Sequence, residues 1–199
     1  MDRSRNRGFT IIELMVVLAL AAVMLGLAVP NMRQFILNNR LTSGANDLLR
    51  AVNQARSEAI KRQTVVTLCA TDEPEEDEPA CSGGAFGGWV VFVDTDADGD
   101  FDAGEEKLAS GSAASAVSVS NDNDGILCYG PSGFAGVNCG GLAPTQTIVL
   151  CDARFNAGDD ASANAGRALL ITTTGRGRVT RDHTEVAAAL VATGGSCGA

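Results

Sequence analysis

Hydrophobic and polar residues divide this chain at about residue 30. From Phe9 to Val29 the sequence reads FTIIELMVVLALAAVMLGLAV, and Glu13 is its sole ionisable side chain. An α-helix rises about 1.5 Å per residue, so this stretch is about 32 Å long as a helix and matches a hydrocarbon core of about 30 Å. Three arginines lie in the polar segment before it. They favour an orientation with the N-terminus in the cytoplasm.

Two simple explanations of this apolar stretch fit poorly. A secretory signal peptide ends in a small-residue cleavage site after a shorter apolar region, and no good site follows Val29. A plain membrane anchor has no use for Glu13, because an acid inside a bilayer costs about 2.5–3.5 kcal/mol on insertion scales. Glu13 therefore predicts a cationic partner within the apolar layer.

The residues around this acid, Gly8-Phe9-Thr10-Ile11-Ile12-Glu13-Leu14, resemble the processing site of type IV pilins and pseudopilins. The resemblance implies that a prepilin peptidase and methyltransferase removes the leader, residues 1–8, and N-methylates Phe9. It also implies that Glu13 pairs with the amine of a neighbouring subunit's Phe9 during assembly. Pro30 fits the family as well, and a proline inside a helix removes a backbone hydrogen bond and kinks or locally melts the helix.

The helical pattern continues beyond the apolar stretch. Apolar residues recur at three-to-four spacing, which is typical of a helix that packs one face on a core. These residues are Leu41, Ala45, Leu48, Leu49, Val52, Ala55 and Ala59. We therefore predict one helix from Phe9 to Arg62, with residues 9–30 in lipid or in a filament core and residues 31–62 as its amphipathic half.

After Arg62 the pattern changes to short β-like runs between clusters of Gly, Asn, Asp and Ser, which indicates antiparallel strands and turns. The predicted strands are Thr64–Cys69, Trp89–Val93, Ala116–Ser120, Thr147–Leu150 and Ala168–Thr173. Val186–Val191 is ambiguous between strand and helix. The acidic segment Asp72–Pro79 is interpreted as a solvated loop. Residues 63–199 are thus predicted to form a β-rich head, and the fold class is α+β.

Segments of this head resemble the GspH/FimT family of minor pilins and pseudopilins. They are Ala55–Arg62, Val65–Cys69, Gly88–Asp94, Leu150–Asp152 and Ala168–Val179. The resemblance implies a pilin fold, in which a long N-terminal helix packs on an antiparallel β-sheet. It implies a single-pass inner-membrane protein with a periplasmic head, which joins other pilins or pseudopilins in a filament. Relatives serve either type IV pili or type II secretion pseudopili, and both remain open.

Six cysteines in a chain of this size fit an oxidising compartment. A metal site is a poor alternative because the sequence contains no Cys-x-x-Cys pair. Many connectivities are possible. Proximity along the chain suggests the pairs Cys69–Cys81, Cys128–Cys139 and Cys151–Cys197.

The segment Asp94–Glu105, DTDADGDFDAGE, has the Asp-x-Asp-x-Asp-Gly-x5-Glu spacing of an EF-hand calcium loop. Its candidate ligands for Ca²⁺ are Asp94, Asp96, Asp98, Asp100, Asp102 and Glu105. Carboxylates this close together repel one another without a counter-ion, and Gly99 permits a sharp turn. However, the loop follows a predicted strand, and no obvious helix follows it. A calcium site and a solvated Asp-rich turn therefore both remain open.

A second candidate site is Gly175-Arg176-Gly177-Arg178. In an extended chain Arg176 and Arg178 point to the same side, and guanidinium groups match phosphate oxygens. The segment resembles the GRxR motif through which competence-type FimT pilins bind DNA, which implies that Arg176 and Arg178 contact DNA. The alternative is a hairpin whose solvated arginines pair with Asp182 or with a neighbouring pilin.

Charge weighs against a general nucleic-acid binder, because the formal net charge is −9 and nonspecific DNA affinity comes from cationic surface. DNA binding would need a local positive patch. The sequence shows no nucleophile with a plausible base, no phosphate-binding loop and no dinucleotide fingerprint. We predict a structural protein and not an enzyme, and we interpret His183 as a surface residue. The favoured function is a minor type IV pilin, with DNA capture through the GRxR segment left open, and the alternative is a purely structural type II secretion pseudopilin without DNA binding.

Overall fold

A computed structural model describes residues 9–81, 86–122, 125–136 and 145–197 of the protein. Contacts divide the chain into one unit that ends at Ile36 and a second that begins at Leu37. Helix α1, Ile11–Arg62, supplies residues to both units. The remaining elements belong to the second unit. They are β1 (Val65–Thr71), β2 (Gly88–Asp94), β3 (Lys107–Ser112), β4 (Ser118–Asn121), β5 (Ile126–Tyr129), β6 (Gln146–Cys151), a 3₁₀ helix (Asp160–Ala165), β7 (Gly166–Ile171), β8 (Gly177–Thr180) and α2 (His183–Thr193).

Helix α1 begins where the sequence supplies a cap. The Glu13 N–H donates to Thr10 Oγ1 at 3.2 Å, and the Leu14 N–H donates to the Thr10 carbonyl at 3.2 Å. Thr10 therefore satisfies backbone donors that the first helical turn leaves free. The helix starts at Ile11 instead of the predicted Phe9 because Thr10 is the cap. It is assigned as helical through position 30, and the bend expected at Pro30 stays a prediction.

The strands are antiparallel, as predicted, and they form two four-stranded sheets. The first sheet has the order β3-β2-β1-β5, and the second has the order β4-β6-β7-β8. Strands β3, β5 and β8 were not predicted. They escaped prediction because they are short or rich in small and polar residues, with the sequences KLASGS, ILCY and GRVT.

The main core lies where both sheets pack on α1. The predicted apolar face of the helix is buried there, with Leu41, Val52 and Ala55 at 0% exposure. The first sheet contributes Val66, Leu68, Val91, Leu127 and Tyr129, and the second contributes Ile148, Leu150, Leu169 and Ile171. Side chains alternate between the two faces along β6 and β7, so the residues next to these core positions lie on the opposite face of the second sheet.

Helix α2 covers that opposite face of the second sheet. Val186, Ala189 and Leu190 are buried against Val149 and Ala168. Asp182 caps the helix by accepting from the Glu185 N–H at 3.1 Å, and Gly194 ends it with a φ of 65°. The ambiguous run Val186–Val191 is therefore helical. The capping residues before and after it settle the conformation.

Candidate functional site

The N-terminal part of α1 presents apolar side chains that the molecule itself does not cover. Phe9 and Ile11 are each 82% exposed, and Leu14 is 56% exposed. Its most apolar 18-residue window has a mean hydropathy of 2.7 and no buried share, so by length and composition the helix is able to cross a membrane. Glu13 lies three residues after the capping Thr10. A carboxylate in this first turn is stabilised by the positive end of the helix dipole. This position gives Glu13 a local role as well as the predicted one between subunits.

The predicted calcium loop connects β2 to β3, and the structure brings three of its acids together. One carboxylate oxygen each from Asp94, Asp96 and Asp98 lies within 4.8 Å of the others. Glu105 is not in this cluster. Its Oε1 accepts from the Thr95 N–H at 2.7 Å, and its Oε2 accepts from the Asp102 N–H at 3.1 Å. Glu105 therefore closes the loop through backbone hydrogen bonds, and Asp100 and Asp102 also lie outside the cluster.

The three clustered acids differ in their surroundings. Asp94 is the last residue of β2 and is 1% exposed, whereas Asp96 and Asp98 are exposed. The Thr67 hydroxyl donates to Asp94 Oδ2 at 2.7 Å, and the Gly99 N–H donates to the same oxygen at 3.1 Å. Burial raises the pKa of Asp94, and the charge of Glu105 adds to the increase, although the hydrogen bonds oppose it.

The predicted DNA-binding segment lies at β8, the edge strand of the second sheet. Arg176 and Arg178 are both exposed. Arg178 forms a bidentate ion pair with Glu185 of α2, with Nη1–Oε2 and Nη2–Oε1 distances of 3.0 and 2.9 Å. The pair raises the pKa of Arg178 and lowers that of Glu185. Arg178 pairs with Glu185 and not with Asp182, because Asp182 caps α2.

The glycines of this segment have a packing role. Gly175 is buried at a φ of 76°, and a Cβ there would lie 2.3 Å from the Gly133 carbonyl oxygen. A Cβ on Gly177 would lie 3.1 Å from Leu49 on α1. Close packing therefore explains both glycines without a ligand.

Sequence reasoning missed Glu185 as the partner of Arg178. The available signal was Asp182-His183-Thr184-Glu185 before an apolar run, which is the pattern of a capped helix start. His183, predicted to be a surface residue, is half-buried, and its ring lies 5.4 Å from that of Phe155. The loop before the 3₁₀ helix supplies this contact, which spacing along the chain does not reveal.

Two disulfides lie on the outer faces of the sheets. Cys69 of β1 is joined to Cys81, and Cys151 of β6 is joined to Cys197 after α2. These are two of the three pairs suggested by proximity along the sequence. The third, Cys128–Cys139, stays a prediction because residue 139 is outside the ranges that the structure describes. Gly8 of the predicted processing site is outside them as well.

A long helix with an uncovered apolar N-terminal part, followed by an antiparallel head built on its other end, defines a pilin-type subunit. The chain belongs to the family described as type II transport protein GspH, whose model matches residues 44–177. Residues 3–29 match the prokaryotic N-terminal methylation motif. The protein is thus a minor pilin of the type IV pilin and pseudopilin class. The family consists of structural pilins and not of enzymes.

Curated relatives are pilins. The chain is 39% identical over 103 residues to the pilin-like protein PilA1 of Thermus thermophilus, covering 51% of this chain and 56% of that protein. It is 27% identical over 117 residues to the type IV major fimbrial protein FimA of Dichelobacter nodosus, covering 59% and 63%. The chain therefore spans less than two thirds of the length of either relative.

Solved structures of minor pilins and pseudopilins are similar as well. The type IV minor pilin FimU of Pseudomonas aeruginosa gives a TM-score of 0.46 at 19% identity, covering 73% of this chain and 92% of that one. The minor pseudopilin EpsH of the Vibrio cholerae type 2 secretion system gives a TM-score of 0.46 at 9% identity, covering 71% and 96%.

Proposed function

We propose that this protein is a minor type IV pilin that is processed between Gly8 and Phe9 and polymerises through the N-terminal part of α1. Before assembly this part lies in the inner membrane, and the head is in the periplasm. The main support for the proposal is the apolar surface of α1 from Phe9 onwards. In the most apolar 18-residue window of this helix, no residue is buried within the subunit. Such a surface needs lipid or other apolar helices around it.

Glu13 supplies the specificity of assembly. A carboxylate within the apolar layer costs about 2.5–3.5 kcal/mol, and an ammonium group of a neighbouring subunit offsets this cost. Cleavage before Phe9 creates such an amine close to Glu13 in sequence. A subunit docked one step out of register would leave both charges unpaired, so the pair selects the correct register.

The test compares Glu13→Ala with Asp47→Ala in the full-length chain, expressed in cells that assemble pili. Asp47 is a matched control because it is an acid on the same helix that pairs with the exposed Arg50. We expect Glu13→Ala to reach the membrane normally but to fall at least about tenfold in sheared filaments, since an unpaired amine remains in the apolar layer. Equal incorporation of Glu13→Ala and the wild type would refute the proposal.

Mass spectrometry of the membrane-extracted protein tests processing separately. The expected N-terminal peptide begins at Phe9 and carries one additional methyl group. A chain that still begins at Met1 in cells with an active prepilin peptidase would contradict the proposed cleavage. Replacement of Gly8 by Ala is the matched variant, and it is expected to leave the leader attached.

The alternative role is a structural pseudopilin of type II secretion, which the name of the matching family favours. The same helix and the same acid serve both filaments, so the Glu13 experiment does not distinguish them. Deletion in the native host does: loss of piliation or of transformation supports the pilus, and loss of exoprotein release supports the pseudopilus.

DNA capture is a second candidate function. Arg176 and Arg178 support it because both are exposed beside the free edge of β8. Glu185 opposes it because it occupies the Nη1–Nη2 edge of Arg178, which could otherwise donate to phosphate. We expect weak binding by a single subunit, with a slope of about 0.7 log units in affinity per tenfold salt for each phosphate contact on a single strand. Display of many heads on one filament would strengthen it.

Fluorescence anisotropy with labelled DNA, using the detergent-solubilised full chain at low salt, tests this function. Glu185→Gln is expected to raise the affinity by releasing Arg178, and Arg176→Gln with Arg178→Gln is expected to abolish binding. Arg50→Gln serves as the control, because Arg50 is an exposed arginine on α1. If the double variant binds DNA as tightly as the wild type, the segment has no part in DNA capture.

A further inference from the structure

One buried carboxylate oxygen in the head has no partner. Asp94 lies at the end of β2 and is 1% exposed. Its Oδ2 accepts hydrogen bonds from Thr67 and Gly99, but its Oδ1 is buried without a hydrogen bond. An unsatisfied buried acceptor is costly, and a charged one more so. The Ala97 backbone amide also lowers the pKa of this carboxyl, but it makes no well-aligned hydrogen bond to Oδ1, so this oxygen keeps free capacity as an acceptor.

The same side chain belongs to the carboxylate cluster of the β2–β3 loop. Oxygens of Asp94, Asp96 and Asp98 lie within 4.8 Å of one another. Calcium–oxygen bonds are about 2.3–2.6 Å long, so any two ligand oxygens of one calcium ion lie within about 5 Å. The three oxygens are thus already within the spacing that a single ion requires.

Among the residues that the structure describes, no arginine or lysine neutralises this loop. Six carboxylates lie between Asp94 and Glu105, and none of them forms an ion pair with an arginine or lysine in the described ranges. Arg62, at the end of α1, is paired with Glu58 and with Glu106, just beyond the loop. The Lys107 ammonium donates to the carbonyls of Pro74 and Glu76. The nearby cations are therefore engaged elsewhere.

The loop is also fixed in place before any ligand arrives. The Phe101 ring packs edge-on against Phe92 of β2, with the ring centroids 5.2 Å apart and an interplanar angle of 84°. Phe101 joins the apolar cluster of Cys69, Val90 and Phe92, beside the Cys69–Cys81 disulfide. A site with this anchoring loses little conformational entropy when it binds an ion.

From the unpartnered Asp94 oxygen and the spacing of the cluster, we propose that Asp94, Asp96 and Asp98 bind one Ca²⁺ ion. The ligands come from the end of a strand and the turn that follows, so this is a calcium loop without the flanking helices of an EF-hand. Glu105 holds the loop closed through Thr95 and Asp102 instead of acting as the bidentate ligand. Water and backbone carbonyls complete the coordination.

The chemistry of the donors selects the metal. All three side-chain donors are carboxylates, which suit hard cations and not the nitrogen- and sulfur-preferring transition metals. Mg²⁺ demands near-ideal octahedral geometry and gives up its water reluctantly, whereas Ca²⁺ tolerates an irregular set of oxygens. Ca²⁺ is therefore expected to bind more tightly than Mg²⁺.

The test is isothermal titration calorimetry on the full-length protein in detergent after removal of metals with a chelator. With CaCl₂ we expect one site with a dissociation constant between about 10⁻⁵ and 10⁻³ M, and at least about tenfold weaker binding of MgCl₂. Calcium should also raise the thermal unfolding midpoint of the wild type, because the ion binds the folded loop.

Asp96→Asn with Asp98→Asn is the decisive variant, and Asp100→Asn is its matched control. Asp96, Asp98 and Asp100 are exposed, so neither variant disturbs the core. The double variant is expected to bind calcium at least about tenfold more weakly. Without metal, it should unfold at a temperature no lower than that of the wild type, because the substitutions relieve repulsion between the carboxylates. Asp100→Asn should bind like the wild type. An absence of heat from the wild type up to about 10 mM CaCl₂, or equal weakening by both variants, would overturn the site.

Discussion

The outer faces of the two sheets are covered in different ways. Helix α2 covers the second sheet with a regular apolar surface, capped by Asp182 and Gly194 at its ends. The outer face of the first sheet is covered by Phe101 from an acidic loop, together with the Cys69–Cys81 disulfide. The first cover is a self-contained secondary structure, and the second is a charged loop held by one ring and one cross-link.

This difference shows that the two sheets depend on different forces. Apolar burial, helix capping and the Cys151–Cys197 disulfide maintain the cover of the second sheet. The cover of the first sheet includes repelling carboxylates, and burial together with the charges of Asp98 and Asp96 raises the pKa of Asp102. Its stability therefore depends on what neutralises the loop. The same fold thus combines an autonomous cover with one that responds to its surroundings.

The largest expected effect comes from removing the cross-links. Disulfides close segments of 46 residues at Cys151–Cys197 and 12 residues at Cys69–Cys81. From loop entropy alone, replacing each pair by alanine should lower the free energy of unfolding by about 4 and about 3 kcal/mol, respectively. Urea denaturation of both variants measures these values. A greater loss for the shorter segment would mean that the cover of the first sheet depends on its disulfide more than chain entropy predicts.

Phe101→Leu should weaken the cover of the first sheet while keeping it apolar. Loss of the edge-on contact with Phe92 is expected to cost about 0.5–1.5 kcal/mol. Calcium affinity should fall in parallel, because the loop is less well fixed. Leu190→Met on α2 is the matched conservative change, and it should leave calcium binding unaltered. Unchanged unfolding of Phe101→Leu in urea would show that the ring does not hold the loop.

Asp182→Ala tests the autonomous cover. The substitution removes the hydrogen bond to the Glu185 N–H, and we expect the thermal midpoint to fall by about 2–4 °C. Asp182→Asn keeps an acceptor and should recover most of the loss. Differential scanning calorimetry provides the measurement. A fall of equal size for the alanine and asparagine variants would argue against a capping role.

The smallest effect is a pH dependence of α2. The pKa of Glu185 is lowered by the ion pair with Arg178, and that of Asp182 is lowered by hydrogen bonds from Thr184 and from the Glu185 backbone. Their contribution to stability is complete above the ordinary values of 4.5 and 3.8, and it is lost as pH falls through the lower folded-state values. Hydrogen exchange of residues 183–193 should therefore accelerate only in strong acid. Glu185→Gln should reduce this acceleration.

Sequence alone was sufficient for the long helix and for much of the sheets. The apolar run from Phe9, the three-to-four spacing around Leu41 and Val52, and the β-branched run at Val65 each depend on local periodicity. Local signals also predicted two disulfides, because the order of the cysteines matched their position in space. These features are visible because each residue's role is set by near neighbours along the chain.

The remaining features depend on contacts between distant residues. The strands divide into two sheets because both sheets pack on α1. The sequence of a single strand does not indicate to which sheet it belongs. The pairing of Arg178 with Glu185 depends on α2 turning back over the second sheet, which the capping pattern at Asp182 would have suggested. The sequence does not reveal the unpartnered oxygen of Asp94, because nothing in the sequence distinguishes Asp94 from the other aspartates of its loop.

Both described cross-links join a sheet to its outer cover, and neither includes a residue of α1. The packing of both sheets on the helix can therefore form while the thiols are still reduced, and oxidation afterwards fastens the two covers. In cells that lack a thiol oxidase, the sheets should still pack on α1, but proteases should shorten the subunit from its C-terminal tail. The subunit then acquires its resistance to degradation by oxidation, after its sheets have packed on the helix.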